Sequence, residues 1–329
     1  MIVQKYLALR LLLFAPTLVI ASIIIFGVMR VLPGDVALVV LSGSGEVTHD
    51  IEQIESVREE LGLDAPLVIQ YGKWFGSMLS GGFGGRSLET REELRSLVAR
   101  QFPVTLQLTF YTILISVGIS LPLGILAAVQ QDHWLDYLVR VLSIAGQALP
   151  SFFIALVSIL GLVKILHWSP PIIYSDLWED PWAHIQMMLL PTLVLVWGYS
   201  AFLIRMTRSG MLEVLRQDYI RTAYNKGLRW HVVLFRHGLR NALIPVLSVA
   251  GLQIGALLSG AVILESIFGL PGLGRGIVQA VTVRDYPVIQ SLAMLLVFLM
   301  LSVNLAVDMI YSLVDPRISY NDDAMRASG

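Results

Sequence analysis

Six apolar stretches without a charged residue determine what this 329-residue chain can fold into. Each is close to the roughly 20 residues that an α-helix needs to cross a bilayer. Charged residues make up 14% of the chain, against about 25% in soluble domains. We therefore predict an all-α, polytopic membrane protein with six transmembrane helices, over Leu11–Met29, Val104–Val129, Val141–Val163, Ile185–Ile204, Ala242–Leu264 and Val288–Val307.

The distribution of Lys and Arg predicts the orientation of these spans. The segment Arg205–Asn241 is rich in Arg and Lys, whereas the loop His167–His184 has acidic residues and neither Lys nor Arg. Cytoplasmic loops are enriched in Lys and Arg, so the basic segment and both termini are predicted to be cytoplasmic. The first span is too long for a signal peptide and is followed by no small-residue cleavage site, which indicates a retained anchor.

The predicted spans divide the chain into four regions, and the second of them is expected to lie outside the cell membrane as a set of short helices. The regions are the N-terminus and first helix (1–33), the extracytoplasmic helical segment (34–103), a five-helix core containing the cytoplasmic loop 205–241 (104–314), and a cytoplasmic tail (315–329).

Capping residues predict where the short helices of the 34–103 segment begin. Asp50 is expected to cap one helix, and Pro66 is expected to open a second. Thr90 and Glu93 have the spacing of a capping box for a third helix, which is expected to continue through Pro103 into the second span.

Several function classes are excluded by the residues that the chain lacks. Without Cys it has no thiolate metal site and no cysteine nucleophile, and its net charge of -1 with few charged residues argues against nucleic-acid binding. No His-Glu-x-x-His motif is present, which argues against a zinc protease, and we predict no metal site. No phosphate-binding loop of the ATPase type occurs either, so ATP would have to be bound by another polypeptide.

An ATP-independent membrane carrier or an intramembrane hydrolase is the alternative interpretation. Either would need a functional site within the spans, but the charged residues there lie near predicted span ends. Snorkelling or an interhelical partner accounts for such residues. Asp308 is the deepest, and we expect it to pair with a basic side chain of a neighbouring helix; the roles of Asp308 and Glu265 stay open.

The basic segment contains a predicted short helix from Asp218 to Lys226. Asp218 near its start and Lys226 in its last turn both have the sign that the helix dipole favours, and Gly227 supplies a left-handed terminating residue. One interpretation gives this helix no protein partner: it would be part of a basic juxtamembrane segment that binds anionic lipid. Against it, the helix presents a small and partly apolar surface rather than an all-basic one.

This segment resembles the coupling loop of ABC importer permeases, in the form found in the dipeptide/oligopeptide/nickel family. The resemblance rests on Asp218-Tyr219-Ile220-Arg221-Thr222-Ala223, followed after three residues by Gly227, and on Leu239–Pro245. Arg221 and Thr222 depart from the Glu-Ala of the general pattern. Further similar segments occur along the chain, at Arg30–Asp35, Leu61–Asp64, Glu265–Gly274 and Val314–Arg317.

The resemblance implies one permease half of a type I importer in the bacterial inner membrane. Its partners would be a second related permease, two cytoplasmic ATPases and an extracytoplasmic solute-binding protein, besides membrane lipid. The chain itself would be no enzyme and would hold no cofactor, because ATP and Mg would be bound by the ATPases. The solute would be a small peptide or, alternatively, nickel or another metal chelate. Asp218, Tyr219, Ile220, Arg221, Thr222 and Ala223 would dock into an ATPase, and Gly227 would set the direction of the helix.

Two further sets of residues are candidate site residues. A tight turn at the outer mouth, against the binding protein or the second permease, is predicted for Gly269, Pro271, Gly272 and Gly274. Polar residues on the faces of the middle spans are candidates for lining a translocation path, namely Gln107, Gln147, Ser151, Ser248 and Gln253. The alternative for this second set is hydrogen bonding between helices.

Overall fold

The computed structural model describes residues 2–31, 55, 58, 64–171 and 173–314, and all regular structure within these ranges is helical. The predicted all-α class is confirmed. The helices are α1 (Ile2–Val31), α2 (Leu67–Leu79), α3 (Leu94–Val129), α4 (Trp134–Ala148), α5 (Ser151–Leu166), α6 (Pro181–Leu215), α7 (Asp218–Asn225), α8 (Trp230–Val232), α9 (Arg240–Leu252), α10 (Ile254–Phe268), α11 (Leu273–Val283) and α12 (Tyr286–Val314), with a π-helical segment, Val233–Leu239, between α8 and α9.

Four helices are long and apolar enough to cross a membrane, namely α1, α3, α6 and α12. They contain the first, second, fourth and sixth predicted spans. Two more spans are formed if each of two bent helix pairs counts as one: α4 with α5, bent by 101°, and α10 with α11, bent by 73°. By length and composition the described residues therefore supply four to six spans.

The third predicted span is a bent helix pair rather than one straight helix. The chain breaks between α4 and α5, where Leu149 and Pro150 both have extended backbone conformations. A residue that precedes proline is disfavoured in the α region, because the proline ring collides with its backbone. The hydropathy of the sequence does not reveal this break. The run from Val141 to Val163 has no charged residue, and hydropathy carries no information on backbone direction.

The fifth predicted span is also divided. Helix α9 ends at Leu252 and α10 begins at Ile254, with a one-residue break at Gln253. The backbone N–H of Gln253 donates to the carbonyl oxygen of Ala250 at 3.2 Å. This three-residue spacing tightens the end of α9, whereas the α-helical ladder uses a four-residue spacing.

The 34–103 segment matches its prediction in part. The helix expected to begin at Asp50 lies outside the described residues, and Pro66 directly precedes α2 as predicted. The third helix begins at Leu94 rather than after Thr90, because Arg91 has a left-handed backbone with φ of 59° and cannot continue a right-handed helix. From Leu94 the helix runs without a break through Pro103.

Contacts within the chain form two units. The first unit comprises Met1–Phe14, Gln107–Phe268 and Met300–Gly329. In it α4 and α6 approach closely at Gly146, where a Cβ atom would lie 2.6 Å from the Cβ of Ala201. Small residues of this kind let membrane helices pack backbone to backbone. Gly260 on α10 is a second close approach, since a Cβ there would lie 3.1 Å from Leu195 Cδ2 on α6.

The charged residues of the first unit's spans have two different environments. Asp308 Oδ2 lies 3.1 Å from Arg10 Nη1, which confirms the expected ion pair between neighbouring helices. Glu265 on α10 is completely buried. Snorkelling therefore does not describe Glu265, because a snorkelling side chain has its charged end in water.

The second unit comprises Ala15–Leu106 and Gly269–Leu299. Its centre includes Leu94, Leu273 and Leu292, all completely buried. Asp285 links the loop before α3 to the start of α12: its Oδ2 accepts from Ser87 Oγ at 2.5 Å and from the Glu89 amide at 3.3 Å, and its Oδ1 accepts from the Val288 amide at 3.4 Å. One buried carboxylate thus caps α12 and orders the preceding loop.

Candidate functional site

Helix α7 extends from Asp218 to Asn225, with Lys226 as its C-terminal cap. These bounds confirm the short helix predicted within the basic segment. Gly227 follows with φ of 75°, which is the left-handed conformation that glycine adopts at least cost. No atom lies within 4 Å of where a Cβ of Gly227 would be, so backbone conformation alone explains the glycine.

One side of α7 is packed against the rest of this chain. Ile220 and Ala223 are 1% and 7% exposed, and they form a small apolar cluster with Val233 and the partly buried Val214. Two residues of the predicted docking surface are thus covered by this chain in the present conformation, and their docking on an ATPase stays a prediction. Their three-residue spacing places both on the same side of the helix.

The other side of α7 is exposed to solvent. Asp218, Tyr219, Arg221 and Thr222 all lie on it. Arg221 Nη1 lies 3.7 Å from Asp218 Oδ1, and both side chains are largely exposed. Asn241 at the start of α9 donates to the Tyr219 hydroxyl at 2.9 Å. The exposed part of the predicted docking surface is therefore smaller and more polar than the sequence indicates.

An ion pair with a buried carboxylate joins α4 to α6. Its arginine, Arg208, belongs to the basic segment Arg205–Asn241 that also contains α7. Asp136 is completely buried, and it accepts from Arg208 Nε at 2.5 Å and from Arg208 Nη2 at 2.8 Å. The Asp132 amide also donates to Asp136 Oδ2, at 3.0 Å. This pair was not predicted from the sequence, although a single Asp in the first turn of a helix, just before an apolar span, is a signal for it.

A cavity of about 320 Å³ lies in the first unit between α4, α5, α6 and α10. It is lined by three of the five candidate path residues, Gln147, Ser151 and Gln253, together with Tyr199 and Gly198. The Tyr199 hydroxyl donates to the Ala250 carbonyl oxygen at 3.2 Å. Residues far apart in the chain are thus brought to one cavity with a mixed polar and apolar lining.

The remaining two candidate path residues are placed differently. Gln107 accepts a hydrogen bond from the Tyr174 hydroxyl at 3.3 Å. Burial raises the pKa of that hydroxyl, which keeps it protonated as the donor. Gln107 on α3 is thus bonded to a loop residue, and its predicted place on a translocation path stays a prediction. The side chain of Ser248 lies outside the described residues.

The glycine-rich turn precedes α11 in the second unit. Gly269 has φ of 70°, and its carbonyl oxygen accepts from Arg275 Nη1. Gly272 is the N-cap residue of α11, and Gly274 is buried in the first turn of that helix. Pro271, the fourth predicted residue, lies in the turn between Gly269 and Gly272. The geometry is a tight turn, while its predicted contact with another protein stays a prediction.

Two protein-family models match this chain, and together they cover most of its length. Residues 120–320 match the family described as binding-protein-dependent transport system inner membrane component, and residues 3–109 match the N-terminal family of the same systems. The chain belongs to this family of transport permeases. It is a membrane-spanning subunit of an ABC importer in the peptide and nickel branch, and it is a transport component rather than an enzyme.

The permease has full-length relatives among curated proteins. It is 38% identical to a putative peptide transport system permease protein of Brucella suis, over 93% of this chain and 96% of that protein. It is 38% identical to the dipeptide transport system permease protein DppB of Alkalihalophilus pseudofirmus, over 94% and 98%. It is 37% identical to the glutathione transport system permease protein GsiC of Escherichia coli, over 96% and 99%.

One solved structure is similar to the permease more distantly. It is described as an amino acid ABC transporter with histidines, and it shares 17% sequence identity over 68% of this chain and 94% of that chain, with a TM-score of 0.48.

Proposed function

We propose that this permease forms one half of the translocation path of an ATP-driven importer for small peptides. The observation that carries the proposal is the full-length similarity to permeases named for peptide, dipeptide and glutathione transport. A second permease would form the other half, two cytoplasmic ATPases would bind ATP and Mg, and an extracytoplasmic binding protein would deliver the solute.

The exposed side of α7 is the surface that we assign to the ATPase. Asp218, Arg221 and Thr222 supply polar contacts there, while Ile220 and Ala223 attach the helix to the permease. A displacement of α7 by the ATPase would then be transmitted through this apolar cluster to the end of α6 and to the π-helical segment. Such a two-state element, biased by ATP on one side and by solute on the other, is what coupling requires.

The experiment is reconstitution of the complex that co-purifies with the tagged permease. In proteoliposomes with ATP inside and binding protein outside, we expect uptake of a labelled dipeptide, with competition by unlabelled peptides and not by a nickel chelate. Uptake of the chelate alone would change the solute. Uptake by the isolated permease without ATPase chains would instead support the ATP-independent carrier.

A further inference from the structure

A second cavity, near the end of α1, has no assigned role in transport. Its volume is about 300 Å³, at the small end of the range for ligand pockets. Two cations line it, Arg30 from α1 and Lys73 from α2, and no Asp or Glu occurs among its described lining residues. The other lining residues include neutral polar groups and rings, among them Gln70, Ser77, Gln290, Phe26, Trp74 and Tyr286.

Two hydrogen-bond donors of this cavity have no partner among the described residues. Trp74 is only 7% exposed, and its Nε1 is buried without an acceptor. Arg30 Nε is likewise buried without an acceptor. Buried donors are almost always satisfied, and both of these groups donate and cannot accept. The missing group is therefore an acceptor, and the positive charge of the lining favours an anion.

Aromatic packing and a glycine shape the space around these donors. The Arg30 guanidinium carbon lies 5.0 Å from the centre of the Phe26 ring, and the Phe26 and Trp74 rings are 5.9 Å apart. Gly84 also lines the cavity, and a Cβ there would lie 3.0 Å from Trp74 Nε1. A glycine at this position leaves space beside the indole N–H that a side chain would fill.

The cavity lies at a span end. Arg30 is in the last turn of α1, and only 11% of the most apolar part of that helix is buried within the chain. The rest of that apolar surface is available to lipid. A cation at the end of a lipid-facing span lies at the level of the headgroups. Apolar side chains of Met29 and Leu88 line the same cavity, which suits the glycerol and first acyl carbons of a lipid.

We propose that this cavity binds the phosphate of a phospholipid headgroup. Arg30 and Lys73 would hold the phosphate oxygens through charge-assisted hydrogen bonds, and Trp74 Nε1 would donate a further one. A free phosphate ion has the same charge chemistry but no use for the apolar part of the lining. The site is independent of the solute and of the ATPase, so its test does not depend on transport.

The test is a thermal-shift titration of the full chain, purified in detergent. The probes are dihexanoyl phosphatidylglycerol and sodium phosphate. We expect the lipid to raise the melting temperature and sodium phosphate to have little effect. The R30Q/K73Q variant is expected to bind the lipid at least about tenfold more weakly, because two charge-assisted contacts are lost.

A matched control removes the same two charges, one Arg and one Lys, at positions outside the cavity. The R205Q/K164Q variant removes one Arg and one Lys that do not line the cavity, and it should bind the lipid like the unaltered chain. The W74F variant keeps a ring of similar shape and removes only the N–H donor, so it tests the site even if R30Q/K73Q fails to fold; it should bind several-fold more weakly.

Three outcomes would overturn the proposal. One is a lipid response that W74F and a folded R30Q/K73Q variant both retain. A second is an equal loss in the R205Q/K164Q control, which would indicate general attraction between charges. The third is a response to sodium phosphate as strong as that to the lipid, which would assign the cavity to a soluble anion.

Discussion

Asp136 shows at the scale of a single residue how this permease stabilises its helix packing. The carboxylate is completely buried and bound by Arg208 through two hydrogen bonds. A buried charge is tolerated only when it is paired, so the value of the contact lies mainly in the penalty of breaking it.

We therefore expect Asp136→Asn to destabilise the permease by about 3–5 kcal/mol, because Arg208, which is only 17% exposed, would lose the carboxylate that accepts both of its hydrogen bonds. The measurement is the melting temperature in detergent. Arg208→Gln should be similarly harmful, and the double variant should lose less than the sum of the two. Simple additivity would show that the pair is not coupled.

The matched control is Arg100→Gln, which breaks an exposed pair. Arg100 Nη1 lies 2.7 Å from Glu92 Oε1, and the hydrogen bond from Arg100 lowers the pKa of Glu92. Exposed pairs contribute about 0–1 kcal/mol, so this variant should melt close to the unaltered permease. A large loss here would indicate a general sensitivity to charge removal.

Gly227 allows a second prediction at this scale. Its φ of 75° places it in the left-handed region, with open space where a side chain would go. Gly227→Ala should cost about 1–2 kcal/mol of backbone strain without a steric clash. Gly227→Asn should cost less, since Asn tolerates this conformation. Equal stability of both variants in thermal melting would contradict the backbone explanation.

At the scale of elements, α7 has a side for attachment and a side that is free. Ala223→Glu would place a carboxylate in the apolar cluster with Ile220 and Val233. We expect this variant to detach α7 and to lower both the melting temperature and the ATPase activity of the assembled complex.

Arg221→Glu is the matched variant on the exposed side of α7. It changes charge where Arg221 is 75% exposed, so the permease should melt normally while ATPase stimulation by loaded binding protein falls. Together the two variants separate attachment from docking. Normal stimulation in a stable Arg221→Glu complex would remove this side of α7 from the proposed interface.

Asp285 has the corresponding role in the second unit, where one carboxylate serves α12 and a loop. Asp285→Ala removes the acceptor of Ser87 Oγ and of two backbone amides. Loss of a helix cap costs about 0.5–2 kcal/mol, and we expect the upper part of this range. Limited proteolysis should also become faster in the loop before α3; unchanged proteolysis would restrict Asp285 to capping.

At the scale of the whole molecule, orientation in the membrane can be tested without background, because the chain has no Cys. The Lys and Arg distribution predicts that Lys226→Cys faces the cytoplasm and that Trp178→Cys, at a position 89% exposed, faces outward. In intact cells a membrane-impermeant maleimide should label only Trp178→Cys. Labelling of Lys226→Cys instead would invert the orientation.

The amino-acid sequence by itself determined the helical class, the four long spans, the short helix Asp218–Asn225 and the left-handed Gly227. All of these follow from local physics: hydrophobic length, helix capping and backbone conformation, which depend on neighbouring residues in the chain. The same holds for the family, because several motifs occur in order along the whole chain.

Only the tertiary structure decided which of these residues face each other. It turned Ile220 and Ala223 inward and paired Asp136 with Arg208 across 72 positions. Such features arise from contacts between segments distant in sequence, and composition and periodicity carry no record of them. Burial and ion pairing are properties of the packed chain, so its interior sites appear only once the helices are in place.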